Sequence, residues 1–251
     1  MLKEKIVIVT GAASGIGRET AKAYAKKGAS VCISDVDNNG LKETEEQILK
    51  KGGNVLAITA DISNENNVKK LVNTTVKKFG GLDIACNNAG VGGELNTTAD
   101  YSVEEWDRVI NINLRGQWLC MKYQIPEILN RGGGAIINVT SILGKVGFAN
   151  APAYVAAKHG LVGLTKTAAI EYSSKGIRVN AIAPAFIDTP MLERAGLTTD
   201  MEMKEQIIKL HPIGRLGTSR EVANAIVWLT SDEASFITGH TLLVDGGYTA
   251  V

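Results

Sequence analysis

Short apolar runs alternate with amphipathic stretches along almost the entire chain, and no other feature constrains the fold as much. Runs such as Ile6-Val-Ile-Val9 are too short for core helices and suit strands covered on both faces. Strand and helix in strict alternation require a parallel sheet with right-handed crossovers. The spacing therefore predicts an α/β fold: a doubly wound parallel sheet of about seven strands with helices on both faces. Strands are expected over residues 5–10, 30–34, 54–59, 82–86, 135–140, 177–182 and 241–244. Helices are expected over 15–27, 38–51, 64–79, 103–130, from Pro152 to about 174, then 201–210 and 218–230. No linker, repeat or low-complexity tract divides the chain, so one domain over residues 1–251 is expected.

Composition enters mainly by exclusion. A length of 251 residues, 45% of them hydrophobic, supplies a large core. The net charge of +1, from scattered Lys and Arg, speaks against a nucleic-acid footprint and against a basic membrane patch. The first apolar run is too short for a signal-peptide core or a membrane span, so a cytoplasmic location is expected. Cys32, Cys86 and Cys120 are odd in number and embedded in apolar sequence, as small core residues are. His159, His211 and His240 lack metal-ligand spacing, and no metal site is expected.

Thr10-Gly-Ala-Ala-Ser-Gly-Ile-Gly17 joins the first expected strand to its helix. Glycines at 11, 15 and 17 allow a tight turn, close approach of a pyrophosphate and close helix packing, while Ser14, Gly15 and Ile16 open a helix whose free amides suit phosphates. Such a loop alone can be a plain strand-to-helix turn. Asp35 ends the second strand 18 residues after Gly17, where a carboxylate accepts hydrogen bonds from an adenosine ribose diol and repels a 2′-phosphate. Its bland alternative is a cap on the next helix. No Lys or Arg lies in residues 11–17 or 36–40, which favours NAD over NADP. Asp61 follows the third strand and Asn87-Asn88-Ala89-Gly90 the fourth, on the side where adenine and ribose would lie. Asn113 is a poor helix residue inside a long helical run; either it faces solvent or it disturbs the helix to hold a water.

The chemistry-bearing stretch runs from Ser141 to Lys158. Pro152 suits a first helical turn, and Tyr154 and Lys158 then share one face. A Tyr-x-x-x-Lys spacing is by itself a common accident. An ammonium beside the phenol would favour the phenolate, and bringing a Tyr from near 10 to near 7 takes roughly 4 kcal/mol, which one Lys and one bound cationic cofactor could supply. Ser141 follows an apolar strand, at the end of the sheet where such folds bind ligands.

Taken together, Thr10-Gly-x-x-x-Gly-Ile-Gly17, Asn87-Asn-Ala-Gly90, Asn113, Ser141, Tyr154-x-x-x-Lys158 and Arg178-Val-Asn-Ala-Ile-Ala-Pro184 resemble the compact, single-domain branch of the short-chain dehydrogenase/reductase family. The resemblance runs from the first strand to Val244-Asp-Gly-Gly247. It implies a Rossmann-like NAD(P)-dependent oxidoreductase. Tyr154 would be proton donor or acceptor, Ser141 the partner of the substrate oxygen, and Lys158 the binder of the nicotinamide ribose. Asn113 would hold a water behind Lys158. Pro184, Ile187 and Thr189 would lie at the nicotinamide, and Asp61 and Ile62 at the adenine. Where relatives usually carry Pro-Gly, this chain has Pro184-Ala185, whose methyl narrows the nicotinamide side. The expected reaction interconverts a secondary alcohol and a ketone. The alternatives are a 3-oxoacyl-carrier-protein reductase and a dinucleotide-binding regulator without chemistry; the second would show a broken Ser, Tyr or Lys position, and none is broken.

Two segments should surround Tyr154: residues 142–151, with Leu143, Val146 and Phe148, and the covering segment at about 185–215, with Phe186, Met191 and Leu192. Gly196, Thr198 and Thr199 interrupt the second, which is expected to be mobile without ligand. The helix after Ala153 is apolar on more than one side, which predicts burial by a partner subunit as well as by the sheet. A homotetramer is what the family resemblance implies.

Overall fold

The computed structural model describes residues 2–197 and 199–250, which leaves Thr198 outside the described residues. The first half runs β1 (Ile6–Thr10), α1 (Gly15–Lys26), β2 (Ser30–Asp35), α2 (Asn38–Leu49), β3 (Asn54–Thr59), α3 (Glu65–Phe79) and β4 (Ile84–Asn87). There follow α4 (Val103–Ile110), a π-helical segment (Asn111–Gly116), α5 (Gln117–Asn130), β5 (Gly134–Val139), α6 (Pro152–Tyr172) and β6 (Ile177–Pro184). The last part holds β7 (Ile187–Asp188), α7 (Pro190–Arg194), α8 (Met201–Lys209), β8 (Gly217–Thr218), α9 (Ser219–Thr230) and β9 (Thr241–Val244).

Seven strands form one parallel sheet in the order β3-β2-β1-β4-β5-β6-β9. β1 lies inside the sheet between β2 and β4, and every one of its residues is buried. Its alternating side chains feed two cores. Val7 and Val9 pack with Tyr24, Leu41 and Ile226 of α1, α2 and α9, while Ile6 and Ile8 pack with Leu71, Ile125 and Ala168 of α3, α5 and α6. Tyr24, fully buried, satisfies its hydroxyl on Thr230 Oγ1 at 2.8 Å and so ties α1 to α9.

Three departures from the sequence reading have physical causes. The long helix expected over 103–130 is interrupted by the π-helical segment, a widened turn of the kind that re-aims a side chain. Asn113 there does not face solvent: it is fully buried, its Oδ1 accepting from Val91 N at 2.8 Å and its Nδ2 donating to Val91 O at 2.7 Å. β4 starts later than expected and includes Asn87, whose buried amide is held by Asn138 at 3.1 Å and Gln124 at 2.9 Å and borders neither of the cavities described below. β6 continues to Pro184, since β9 pairs with it from Ala181 through Pro184.

Cys32, Cys86 and Cys120 are free and buried, and burial pushes each thiol up to about 12. The unfolded chain, with ordinary thiols at 9.0, releases those protons first. The stability they confer is complete below about pH 9 and is lost as pH rises toward 12. The urea midpoint is therefore expected to fall steadily above pH 9, with Ellman's reagent labelling the thiols only on unfolding. A midpoint unchanged between pH 8.5 and 10.5 would contradict this.

Candidate active site

The site forms at the carboxyl ends of β1, β4, β5 and β6, next to the point where the strand order reverses between β1 and β4, the crevice in which open α/β sheets hold ligands. Two loops are zipped together there. Thr10 Oγ1 accepts from Asn88 N at 3.0 Å and Ala89 N at 3.1 Å, and Asn88 Nδ2 donates to Thr10 O at 2.9 Å and Gly11 O at 3.0 Å. Any Cβ at Gly17 would stand 2.0 Å from Gly11 O, and one at Gly11 would stand 2.7 Å from Ala89 Cα. Glycine at these two positions lets the strand, the loop and α1 close on one another. The Ser14 side chain caps no amide of α1, so the first-turn N–H groups remain available to an anion.

One cavity, of about 450 Å³, lies against this helix start. Gly11, Ser14, Gly15, Ile16, Asp35, Asp61, Ile62, Asn88, Ala89, Gly90 and Thr189 border it. Asp35 is not a helix cap. Its carboxylate accepts from Ala13 N at 3.0 Å and Asp37 N at 3.1 Å, and it is Asp37 that caps α2 through Asn39 N and Gly40 N. Arg18, just beyond the loop, is already committed to Ala13 O, Gly40 O, Glu43 and Thr44. Asp61 holds Ser63 N at 2.8 Å and Ser63 Oγ at 2.7 Å. A carboxylate at one end, free helix amides, and apolar Ile16, Val36 and Ile62 between fit the diol, diphosphate and base of a dinucleotide.

A second cavity, of about 190 Å³, shares Ile16, Asn88, Gly90, Thr189 and Met191 with the first. Ser141, Tyr154, Lys158, Pro184 and Ile187 line it, together with apolar Leu143, Phe148, Phe186 and Leu192. Val146, expected in this wall, packs instead with the cluster around Ile142 and Phe186. Ala185 borders the cavity and is not among the residues of positive φ; its methyl narrows the site without backbone strain.

Ser141 follows β5 and opens a 3₁₀ turn, its Oγ accepting from Leu143 N at 3.2 Å. Pro152 begins α6 as expected, bringing Tyr154 and Lys158 onto the inner face. Lys158 is buried; its Nζ donates to Val139 O at 2.8 Å and lies 5.4 Å from the Tyr154 ring centre. Thr140 Oγ1 donates to Lys158 O at 3.0 Å, locking β5 to the helix. Burial lifts the Tyr154 phenol to about 12, opposed by the Ser141 hydroxyl, and lowers the Lys158 ammonium to about 8. The sequence reading had the lysine help to draw the phenol toward neutrality. In the ligand-free protein desolvation wins, because the ammonium is itself desolvated and bound to a carbonyl under the ring rather than to the phenolic oxygen.

Two expected site residues border neither cavity: Gly17, which packs behind the loop, and Asn113, which pins Val91 from behind. A Cβ on Gly90 would meet Asn113 Oδ1 at 3.0 Å and Lys158 Nζ at 3.7 Å, so both side chains close on the space that a side chain at this glycine would fill. Sequence reasoning missed Val91, Leu95, Leu197 and Arg194 as wall residues. The signal for Leu95 is an apolar residue after Gly92-Gly93 in a loop beyond a strand's carboxyl end. No three or more His, Cys, Asp or Glu among the described residues are grouped to hold a metal. No helix among them is long and apolar enough to cross a membrane.

The family model described as "Enoyl-(Acyl carrier protein) reductase" matches residues 11–249. The chain is 45% identical to the cyclohexanol dehydrogenase of Acinetobacter sp. (strain SE19) over 247 residues, 98% of this chain and 95% of that protein. It is 44% identical to the cis-4-hydroxycyclohexanecarboxylate dehydrogenase of Sinomonas cyclohexanicum, over 99% of this chain and 98% of that one. The crystal structure of a levodione reductase superposes with a TM-score of 0.96 at 37% identity, covering 99% of each chain. With the sheet order, the glycine loop and the Ser141, Tyr154 and Lys158 arrangement already in place, these matches establish that the chain belongs to the short-chain dehydrogenase/reductase family.

Proposed function

We propose that the protein is an NAD-dependent dehydrogenase of small, uncharged, mainly apolar secondary alcohols, a cyclic alcohol foremost, and catalyses the reverse reduction of the ketone. The observation that carries this reading is the second cavity: its walls are mainly apolar, Lys158 is the one cation on them among the described residues, and it opens onto the site suited to a dinucleotide. A carboxylate or phosphate on the substrate would find no free partner there. Both curated relatives described above are named for hydroxyl-bearing six-membered rings, in keeping with a cyclic alcohol; cyclohexanol is uncharged, whereas the other named substrate carries a carboxylate and runs against the uncharged part of this choice.

Bound NAD supplies the hydride acceptor. The side chains handle the proton: Ser141 holds the alcohol oxygen, and Tyr154 as phenolate takes its proton, with the roles reversed in reduction. Lys158, fixed beneath the ring, binds the nicotinamide ribose and stabilises negative charge on the phenol. Asn113 acts by positioning, keeping the loop at Val91 and Gly90 against Lys158. Among the cofactor contacts, Asp35 takes the ribose diol, Asp61 and Ile62 the adenine, and Pro184, Ile187 and Thr189 the nicotinamide.

NAD(H) should be preferred over NADP(H) by at least about tenfold, or 1.4 kcal/mol, and Asp35→Ala should narrow the gap. Equal turnover with both in the parent enzyme would remove this part of the reading. A panel of neutral cyclic alcohols, polyols and hydroxy acids, followed at the nicotinamide absorbance, tests the substrate class. Cyclohexanol-like compounds should give the highest kcat/KM, whereas preference for a free sugar or a hydroxy acid overturns the apolar-pocket reading.

The same proposal includes a cytoplasmic, homotetrameric enzyme whose substrate is covered by residues 185–215 of one domain. Free thiols in all three cysteines accord with a reducing compartment. Ile170 on α6 is 84% exposed, and Trp106 and Trp118 are 38% and 43% exposed, apolar surface that a partner subunit would cover. Light scattering should give a species well above the 26.7 kDa monomer; a dilute, active monomer overturns this.

A further inference from the structure

We infer that Arg194 is the cation that closes on the diphosphate of the bound dinucleotide, an assignment that rests on the cofactor reading above. Seven of the eight arginines are engaged: Arg18, Arg108, Arg115, Arg131, Arg178, Arg215 and Arg220 each make a hydrogen bond or ion pair. Arg194 makes none among the described residues, and its side chain is exposed at the end of α7. It nevertheless borders the first cavity and, among the described residues, is the one Lys, Arg or His on that wall, facing a set whose carboxylates are Asp35, Asp37 and Asp61. An uncommitted guanidinium over an otherwise acidic cavity has an anion as its complement.

Its place along the chain says which anion. Thr189 Cγ2 stands 3.3 Å from where a Cβ on Gly15 would sit, so the segment leading into α7 already lies on the helix start that offers its amides. From Pro190 to Arg194 is about one helical turn, a rise of about 6 Å. The guanidinium thus hangs from the strap that touches the phosphate-binding turn, and together the two present donors from opposite sides of a dianion. Asp35, fixed to Ala13 N at 3.0 Å, occupies the ribose end and disfavours a further phosphate there. Arg194 is absent from the second cavity, which sets it apart from the substrate. The neighbouring residues extend the consequence: Met191 borders both cavities and Leu192 the substrate cavity. Pairing at Arg194 draws α7 inward and sets that wall only once the dinucleotide is in place.

Titration calorimetry on the parent, R194Q and R194K with NAD, NADP, ADP-ribose and adenosine tests this. R194Q should weaken NAD and ADP-ribose about tenfold and leave adenosine within about twofold, with R194K recovering most of the loss. The affinity of the parent for NAD should also fall more steeply with added salt than that of R194Q. Thermal midpoints should match across the three, since the side chain has no partner to lose. Unchanged NAD affinity in R194Q, or adenosine weakened as much as NAD, overturns the inference. A loss confined to NADP reassigns Arg194 to the 2′-phosphate, and a raised KM only for a carboxylate-bearing alcohol reassigns it to the substrate; each also overturns it. A parent that binds neither NAD nor NADP removes the cofactor reading itself, a result distinct from all of these.

Discussion

Tyr154→Phe is expected to lower kcat by about 10² or more, at least about 2.7 kcal/mol of transition-state stabilisation, while NAD affinity stays within about twofold. The ring remains over Lys158, whose Nζ lies 5.4 Å from its centre, and only the hydroxyl proposed to move the proton is removed. Alcohol oxidation needs the phenolate. Because burial raises the phenol to about 12 in the free protein, the phenolate fraction grows with pH throughout the alkaline range below that value. Oxidation by the parent should therefore rise with pH, and this dependence should disappear in Tyr154→Phe. Steady-state pH profiles beside direct NAD titration check both statements. A Phe variant that keeps most of its turnover takes Tyr154 out of the mechanism.

Lys158→Met should do two opposite things: cut activity by about 10² or more and raise stability. Burial lowers the ammonium from 10.5 to about 8, which amounts to about 3 kcal/mol of cost for carrying the charge folded. Leaving Val139 O without its donor returns about 1–3 kcal/mol of that, so a net gain of about 1 kcal/mol is expected. The cost is present in full below about pH 8, where the folded protein holds the proton against its depressed affinity. It fades as pH rises toward 10.5, because the unfolded chain alone still binds the proton there. Urea denaturation of parent and variant should thus show a gap that is widest at pH 7 and shrinks by pH 10, the cysteine ionisations being common to both. A variant less stable than the parent at pH 7, with the gap constant in pH, would falsify the view that function here is maintained at the expense of stability.

What the sequence disclosed and what it hid follow one physical division. Local periodicity was enough for the seven strands of the sheet, and chemistry at fixed spacing was enough to bring Gly11, Ser14, Gly15, Asp35, Ser141, Tyr154 and Lys158 to two adjoining cavities. Hidden features depend on partners remote in sequence. The π-helical turn exists where Asn113 meets Val91, 22 residues away, and no helix propensity encodes a loop's need for a donor and an acceptor. Asn87 read as loop because Asn usually is. Its burial rests on Asn138, 51 residues on, and Gln124, 37 residues on. Arg194 falls where helical spacing turns a side chain to solvent; it does face outward, but across a cavity whose opposite wall is built mainly from the first third of the chain.

The place of β1 between β2 and β4 also sets a timetable. Ile6, the residue before the run Val7-Ile-Val9, gives its amide to Asp83, 77 residues later, and Val7, Ile8 and Val9 pair with Ile84, Ala85 and Cys86. At about 5–20 residues per second, a growing chain waits roughly 4–15 s between making its most apolar strand and making the neighbour that covers that edge. Parallel pairing offers no local hairpin to shield it meanwhile. The newborn chain's most vulnerable interval thus falls in its first third, before any part of the catalytic apparatus has been synthesised.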